Sequence, residues 1–321
     1  MIVNGKMLLI LGVTASGKGR LASDLAQSLD AEIISIDSMK VYRRMDIGTA
    51  KPPQEARRRI KYHLIDIVEP SDSFSVAAFL DAALQTIEQT KSSKKKIIAV
   101  GGTALYIKAL LYGLFEGPGT NQKIRAELRS RAEAEGLAEL YCELTKIDPV
   151  AAERISPNDS KRIIRALEVY QLTGNPISSF QKQWDRRDVK HDWTIIGLRR
   201  EKAEESKRIN SRVKNMITAG LVDEVKSMLA EEMPLSRQAR CAIGYAEIIE
   251  YLNGQISLEE ATELIKKNTR RLAKNQRTWF KTFKNVHWLD IEPDEPPEKI
   301  LTRANILLND ESTLKRLYAK G

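Results

Sequence analysis

At 321 residues the chain exceeds one average domain, and 42% hydrophobic with 30% charged residues is the balance of a soluble globular protein with a substantial core. No apolar stretch approaches the ~20 residues that cross a bilayer; Cys142 and Cys241, far apart and outside any CxxC or Cys/His spacing, indicate neither a disulfide framework nor a zinc site and fit a reducing cytoplasm. Lys and Arg outnumber Asp and Glu by 52 to 43, a formal charge of +9 that favours a polyanionic partner without identifying one.

The apolar run Met7–Leu11 reads as a core strand, not a signal peptide, and leads straight into Gly12-Val13-Thr14-Ala15-Ser16-Gly17-Lys18-Gly19. This follows the phosphate-loop pattern G-x-x-x-x-G-K-[S/T]. In that pattern backbone amides surround a di- or triphosphate, a lysine reaches its outer oxygens, and the final hydroxyl goes to Mg²⁺. Gly19 occupies the hydroxyl position, which weakens an ordinary ATPase or kinase reading and leaves the diphosphate-binding part complete.

Arg20–Leu29 carries Leu21, Leu25 and Leu29 on one helical face, and Val76–Ile87 reads as another amphipathic helix. Ile33–Ile36, Leu64–Val68 and Ile97–Val100 read as further buried strands. The alternation predicts an α/β fold, a P-loop NTPase-like parallel sheet flanked by helices. Ligands of such sheets gather at the carboxyl ends of the strands, here Gly12–Gly19, Asp37-Ser38 and Gly101-Gly102-Thr103.

After Gly117-Pro118-Gly119 the strand signal ends. Residues Gln122–Thr173 read as helical, with breaks at Gly136 and Asp148-Pro149 and a cap at Asn158-Asp159. Thr194–Leu198 restores a strand that ends in Arg199-Arg200, and helices broken near Gly220 and Gly254 follow. The expected division is a catalytic core of residues 1–118 and 192–321 with a helical insertion at 119–191. A last long helix, about Leu258 to Lys284, bears Lys266, Lys267, Arg270, Arg271, Lys274, Arg277, Lys281 and Lys284 with little acid nearby in sequence. It is either a solvated face around one buried aromatic pair, Trp279 and Phe280, or a strip that contacts a phosphate backbone.

A generic phosphate-loop protein has no reason to carry the segment Asp37-Ser38-Met39-Lys40-Val41-Tyr42-Arg43-Arg44-Met45-Asp46-Ile47-Gly48-Thr49-Ala50-Lys51-Pro52. With it come Tyr62-His63-Leu64-Ile65-Asp66, Gly101-Gly102-Thr103-Ala104-Leu105-Tyr106, Pro157-Asn158-Asp159 with Arg162, Arg165-Ala166-Leu167-Glu168-Val169, and Gly244-Tyr245. Together, and in this order from Leu9 to about Trp288, they resemble the tRNA dimethylallyltransferase (isopentenyltransferase) family.

The resemblance implies transfer of a dimethylallyl group from its diphosphate to the exocyclic N6 amine of the adenosine 3′-adjacent to the anticodon, with Mg²⁺ as cofactor. It implies Asp37 as general base, Lys18 and the amides of Gly12–Gly19 as diphosphate ligands, and Thr103 at the substrate base or the prenyl diphosphate. A diphosphate-stabilising arginine is implied at Arg208 or Arg212, which share a helix face; the pattern does not choose between them. For the tRNA anticodon stem-loop it implies contacts from Asp37, Ser38, Met39, Lys40, Thr103, Arg125, Lys161, Arg162, Arg165, Arg240, Gly244 and Tyr245. The target base is expected to be splayed out of its loop into a channel. The family is also cytoplasmic and usually monomeric, and no coiled-coil pattern or membrane span contradicts that.

Four positions depart from the family's pattern: Gly19 for Thr or Ser, Val13 for Pro, Lys40 for Gln, and Ala246 for Lys or Arg. Gly19 bears on metal binding, Lys40 and Ala246 on tRNA contacts. Two other readings stay open: a nucleotide kinase, marked by ATP turnover without tRNA, and a catalytically weakened tRNA-binding paralogue, which would bind tRNA yet leave adenosine unmodified.

Overall fold

The computed structural model describes residues 7–114, 117–180 and 192–309. Its strands are β1 (Met7–Gly12), β2 (Ala31–Ile36), β3 (Tyr62–His63), β4 (Lys96–Gly101), β5 (Trp193–Arg199) and β6 (Val286–Asp290). They form one sheet in the order β3-β2-β4-β1-β5-β6, with every pairing parallel. Residues 1–111 with 191–321 make one compact unit, and 112–190 the other. The stretch 181–191 of the expected insertion lies outside the described residues.

The first unit holds α1 (Lys18–Leu29), α2 (Gln54–Arg59), α3 (Val76–Ser92) and α4 (Ala104–Tyr112). The second holds α5 (Gln122–Ala134), α6 (Leu137–Ile147), α7 (Pro149–Ala152), α8 (Ser160–Thr173) and α9 (Ile177–Phe180). Back in the first are α10 (Lys202–Thr218), α11 (Leu221–Leu229), α12 (Arg237–Arg240), α13 (Tyr245–Leu252), α14 (Leu258–Phe280) and α15 (Pro297–Asn309). No described helix is long and apolar enough to cross a membrane.

Covered on both faces, β1 is buried along its whole length, which is why MLLIL shows no polar alternation. Leu8 and Ile10 pack with Leu21 and Leu25 of α1 and with Ile300 and Leu308 of α15. Alternation sends Leu9 and Leu11, equally buried, to the other face. Each such side chain is worth about 1.5–3 kcal/mol of burial. At the carboxyl edge β4 comes so close to β2 that a Cβ on Gly101 would lie 2.0 Å from the Ile36 carbonyl oxygen, so this position accepts only glycine.

Leu64–Val68, expected as a buried strand, is not one: β3 stops at His63, because Leu64 (φ 61°) and Asp66 (φ 56°) adopt left-handed backbone that a strand excludes. The segment serves the loop after β2 instead, as the Ile67 and Val68 N–H groups donate to the Val41 carbonyl and Arg43 N–H to that of Val68. The sequence reading also missed β6. Helix α3 runs on to Ser92, α14 ends at Phe280 short of Lys284, and α15 follows it.

In the second unit, Leu128, Leu140, Leu144, Ile163 and Leu167 form a core of their own. Asn121, Asp148 and Asp159 each accept N–H bonds at a helix start, and Pro149 occupies the first turn after Asp148. These caps explain why the breaks at 148–149 and 158–159 were readable.

Candidate functional site

The loop from Gly12 to Lys18 joins the carboxyl end of β1 to the first turn of α1. Left-handed backbone at Ala15 (φ 62°) and Gly17 (φ 100°) gives it the form that gathers successive N–H groups around one anion. Ala15 carries strain of about 1–2 kcal/mol for it, since only glycine visits that region freely. Ser16 is fully buried, and its hydroxyl accepts a weak bond from Lys18 N–H at 3.4 Å. The ammonium of Lys18 donates to the Val13 carbonyl at 3.1 Å, across the mouth of the loop.

A cavity of about 680 Å³ opens in front of this loop, within the size range of small-molecule sites. Its wall includes Thr14, Ala15, Gly17, Lys18 and Gly19, with Asp37 and Lys40 from the loop after β2, Gly101 and Gly102 from β4, and Arg208 and Arg212 from α10. Asp37 Oδ1 accepts from the N–H groups of Met39 (2.9 Å) and Lys40 (3.2 Å), an Asx turn that fixes the carboxylate. No described group bonds its Oδ2. Thr103 starts α4 through its carbonyl, which accepts from Tyr106 and Ile107, while its hydroxyl accepts from Ser38 N–H at 3.2 Å and ties the loop after β2 to that after β4. Both candidate arginines reach the phosphate loop: Arg208 Nε donates to the Ala15 carbonyl (2.9 Å) and Arg212 Nη1 to the Thr14 hydroxyl (3.2 Å).

Cations dominate this cavity. Burial, reinforced by Lys40 and Arg212 and opposed by Asp37, brings Lys18 down to about 7. Burial also lowers Lys40, with Asp37 opposing and Arg212 and Lys51 adding to the effect, and it lowers Arg212, with Arg208 beside it. A bound diphosphate reverses this balance and draws a proton onto Lys18. Affinity for a diphosphate therefore falls as pH rises above about 7, by at most about tenfold per unit. Calorimetric titration with inorganic diphosphate at pH 8, in two buffers of different ionisation enthalpy, reads the proton uptake; heats that do not depend on the buffer, once the ligand's own ionisation is subtracted, refute it.

Several supports escaped the sequence reading. Gln276, 8% exposed on α14, accepts from Thr14 N–H and donates to the Gly102 carbonyl, both at 2.8 Å, and so clamps the phosphate loop to the β4 loop. Arg200, just beyond β5, donates to the carbonyls of Ser16 (3.0 Å) and Glu292 (3.1 Å). The Lys51 ammonium, its side chain 1% exposed, meets the Tyr42 carbonyl (2.6 Å), Asp46 (2.7 Å) and Asp66 (2.5 Å), while Arg57 meets the other oxygen of Asp66. Arg200 stands just past a strand end but was not singled out there, and nothing local pointed at Gln276.

Tyr245 and Gly244, expected at the tRNA, are interior. The Tyr245 ring is fully buried and its hydroxyl donates to Glu224 at 2.6 Å. Glu224 in turn accepts from the N–H groups of Asp46, Ile47 and Gly48. Burial and the Glu224 carboxylate push the phenol well above its ordinary range, so it remains a donor that shapes the 46–48 loop. Gly244 is the N-cap of α13, its N–H bound to the buried Glu247 carboxylate. Arg240, at the end of α12, is exposed.

In the second unit Arg125 and Arg165 have an internal task. Both bind Glu168, whose side chain is fully buried, at 2.9 and 2.6 Å, and Arg165 also donates to the Pro118 and Gly119 carbonyls. Burial pushes Glu168 up, but the two arginines and Asn121 N–H outweigh it and hold the carboxyl below its ordinary value. A buried carboxylate requires such partners, and the two guanidiniums, each still about a quarter exposed, supply them. Lys161 and Arg162 stay exposed on the first turn of α8.

The basic helix α14 is partly balanced. Arg277 pairs with the distant Glu205, Arg270 donates to the Asn210 side chain, and Lys266 pairs with Glu263 one turn away on the same helix. Phe280 is buried, and Trp279 lies half-buried under the Lys108 ammonium, 5.9 Å from its ring centre.

A model of the IPP transferase family matches residues 40–283. The tRNA dimethylallyltransferase of Geobacter metallireducens is 45% identical over 285 residues, 89% of this chain and 92% of its own. Among solved structures, the full-length tRNA isopentenylpyrophosphate transferase of Bacillus halodurans aligns with a TM-score of 0.69 at 38% identity, covering 98% of this chain and 100% of that one. A eukaryotic dimethylallyltransferase, captured acting on tRNA, aligns with a TM-score of 0.79 at 26% identity over 96% of this chain and 80% of its own.

Proposed function

The chain belongs to the IPP transferase family, and from that premise we propose that it transfers a dimethylallyl group from dimethylallyl diphosphate to N6 of the adenosine 3′-adjacent to the anticodon in tRNA. The observation that carries this reading is the meeting of Lys18, on a diphosphate-shaped loop, with the Asp37 carboxylate in one cavity, near enough that Asp37 supports the ammonium's charge.

As the N6–carbon bond forms and the allylic carbon–oxygen bond breaks, negative charge builds on the departing diphosphate. The loop amides, Lys18 and Arg212 stabilise it, while Arg208 holds the Ala15 carbonyl and with it the loop. The adenine amine is a poor nucleophile because its lone pair is delocalised into the ring, so Asp37 takes the proton that N6 loses. Thr103, bonded to Ser38, sets the loop against which the base lies. Exposed Lys161 and Arg162 serve the anticodon stem.

Mg²⁺ fits this site as a companion of the donor. The wall offers the Thr14 hydroxyl on the phosphate loop and the Asp37 carboxylate among its side-chain oxygens, and such an ion is held mainly by substrate phosphates and water with one or two carboxylates. It would neutralise leaving-group charge. Gly19 gives it no hydroxyl, yet nothing lies within 4 Å of where its Cβ would stand, so a side chain is accommodated. Gly19→Thr lowers the Mg²⁺ concentration needed for half-maximal activity; superimposable Mg²⁺ titrations of the two proteins would sink this assignment.

Incubation with dimethylallyl diphosphate, Mg²⁺ and unmodified tRNA, followed by nuclease digestion and mass spectrometry, tests the function directly. Prenylated adenosine is the expected product. Bound but unmodified tRNA would favour a non-catalytic descendant, and ATP turnover without tRNA a kinase.

A further inference from the structure

Arg200 is only 8% exposed, yet its guanidinium forms no ion pair among the described residues. Both of its hydrogen bonds go to backbone carbonyls, from Nε to Ser16 at 3.0 Å and from Nη1 to Glu292 at 3.1 Å. A guanidinium carries five N–H groups, so most of its donor capacity is left over. The remaining nitrogen, Nη2, lies 3.8 Å from where a Cβ on Gly17 would stand, against the phosphate loop. Glu204, Glu295 and Asp294 support the charge from outside contact, and Glu295 itself is taken by Arg303 and by the Glu292 N–H.

A buried cation without a counter-ion is costly, and an anion across the loop offsets that cost. The peptide group supplies the geometry. In a planar trans peptide the carbonyl and the following N–H point opposite ways, so the grip of Arg200 on the Ser16 carbonyl turns the Gly17 N–H to the other side. Gly17 lines the catalytic cavity, and its N–H has no acceptor among the described residues. The Ser16 N–H differs, being bonded to the Val13 carbonyl at 3.2 Å. We propose that Arg200 is a positioning residue for the diphosphate: it turns the Gly17 N–H onto the anion, and its unpaired charge, one peptide group away, adds to the attraction. Arg208 holds the preceding carbonyl, that of Ala15, so two guanidiniums fix consecutive peptides of the loop. The proposal rests on the reading of Gly12–Gly19 as the diphosphate site.

Ser16-Gly17 is the only Ser-Gly pair in the chain, so ¹³C-carbonyl serine combined with ¹⁵N-glycine, introduced by cell-free synthesis, reports this one amide by nuclear magnetic resonance. In the unmutated protein, saturating inorganic diphosphate moves the Gly17 amide proton downfield; a resonance that stays in place overturns the proposal. Arg200→Met shrinks that displacement and weakens calorimetric binding of inorganic diphosphate on the order of tenfold. Arg200→Lys keeps the charge and one donor, puts no neutral side chain into the buried site, and falls between the two. Arg199→Met, one residue back, removes the same charge from an exposed pair with Asp290 and leaves diphosphate affinity unchanged. Undiminished affinity in both Arg200 variants overturns the proposal. So does an equal loss in Arg199→Met, which would reduce the effect to net charge or to a loosened strand end. Failure of the unmutated protein to bind diphosphate overturns the reading of the loop itself.

Discussion

Lys18→Met lowers kcat by about 10²- to 10³-fold, the usual cost of removing one preorganised group that faces charge developing in a transition state. The size of the effect follows from where the ammonium is held. It is desolvated, fixed on the Val13 carbonyl at 3.1 Å, and aimed into a cavity that water screens poorly. Lys40 and Arg212 are close enough to depress Lys18, so they supply positive potential to the same ligand and keep donor binding from vanishing in the variant. The loss therefore falls on kcat more than on KM for the donor. Lys18 is the cation that titrates at about 7, so the methionine variant also loses the alkaline limb that this titration imposes on donor capture. Single-turnover rates across pH 6–9 check both parts. A variant with unchanged kcat and only a raised donor KM would make Lys18 a ground-state ligand and move the catalytic charge to Arg212.

Most of the chemistry was legible because it is written locally. The phosphate loop is eight consecutive residues whose spacing specifies it, whereas Asp37, at a strand's carboxyl end, gained its role only from the resemblance carried by the residues that follow it. What escaped was non-local. Gln276 meets partners 262 and 174 positions away, and no pattern inside α14 marks it off from its basic neighbours. That Arg125 and Arg165 also neutralise an internal carboxylate was not readable, because Glu168 is recognisable as buried only once α5 and α8 pack. The apolar content of Leu64–Val68 imitates a strand, and only the left-handed backbone at Leu64 and Asp66 distinguishes it. Strand β6 failed the other way. VHWLD is a half-buried edge whose Trp288 lies where a Cβ on Gly197 would stand, so its place depends on a glycine 91 residues earlier.

Asp37→Asn separates the two tasks of that side chain. Oδ1 accepts the Met39 and Lys40 N–H groups, and an amide oxygen in the same place still accepts both, so the loop after β2 and its Thr103 tie persist. Lost are the negative charge and the capacity to take a proton from N6. The expected result is a kcat lower by about 10²- to 10⁴-fold with tRNA binding nearly unchanged. Asp37→Ala removes the turn as well, so it adds a rise in KM for tRNA to the same fall in kcat. A second signature follows from the cavity's electrostatics. The Asp37 charge supports the protonated form of Lys18, so its removal lowers Lys18 further, and the residual activity of Asp37→Asn declines at lower pH than that of the unmutated protein. Product analysis by mass spectrometry with pH–rate profiles reads both. An asparagine variant within about threefold of full activity would leave Asp37 as a loop residue only, and the proton would have to leave N6 through another base.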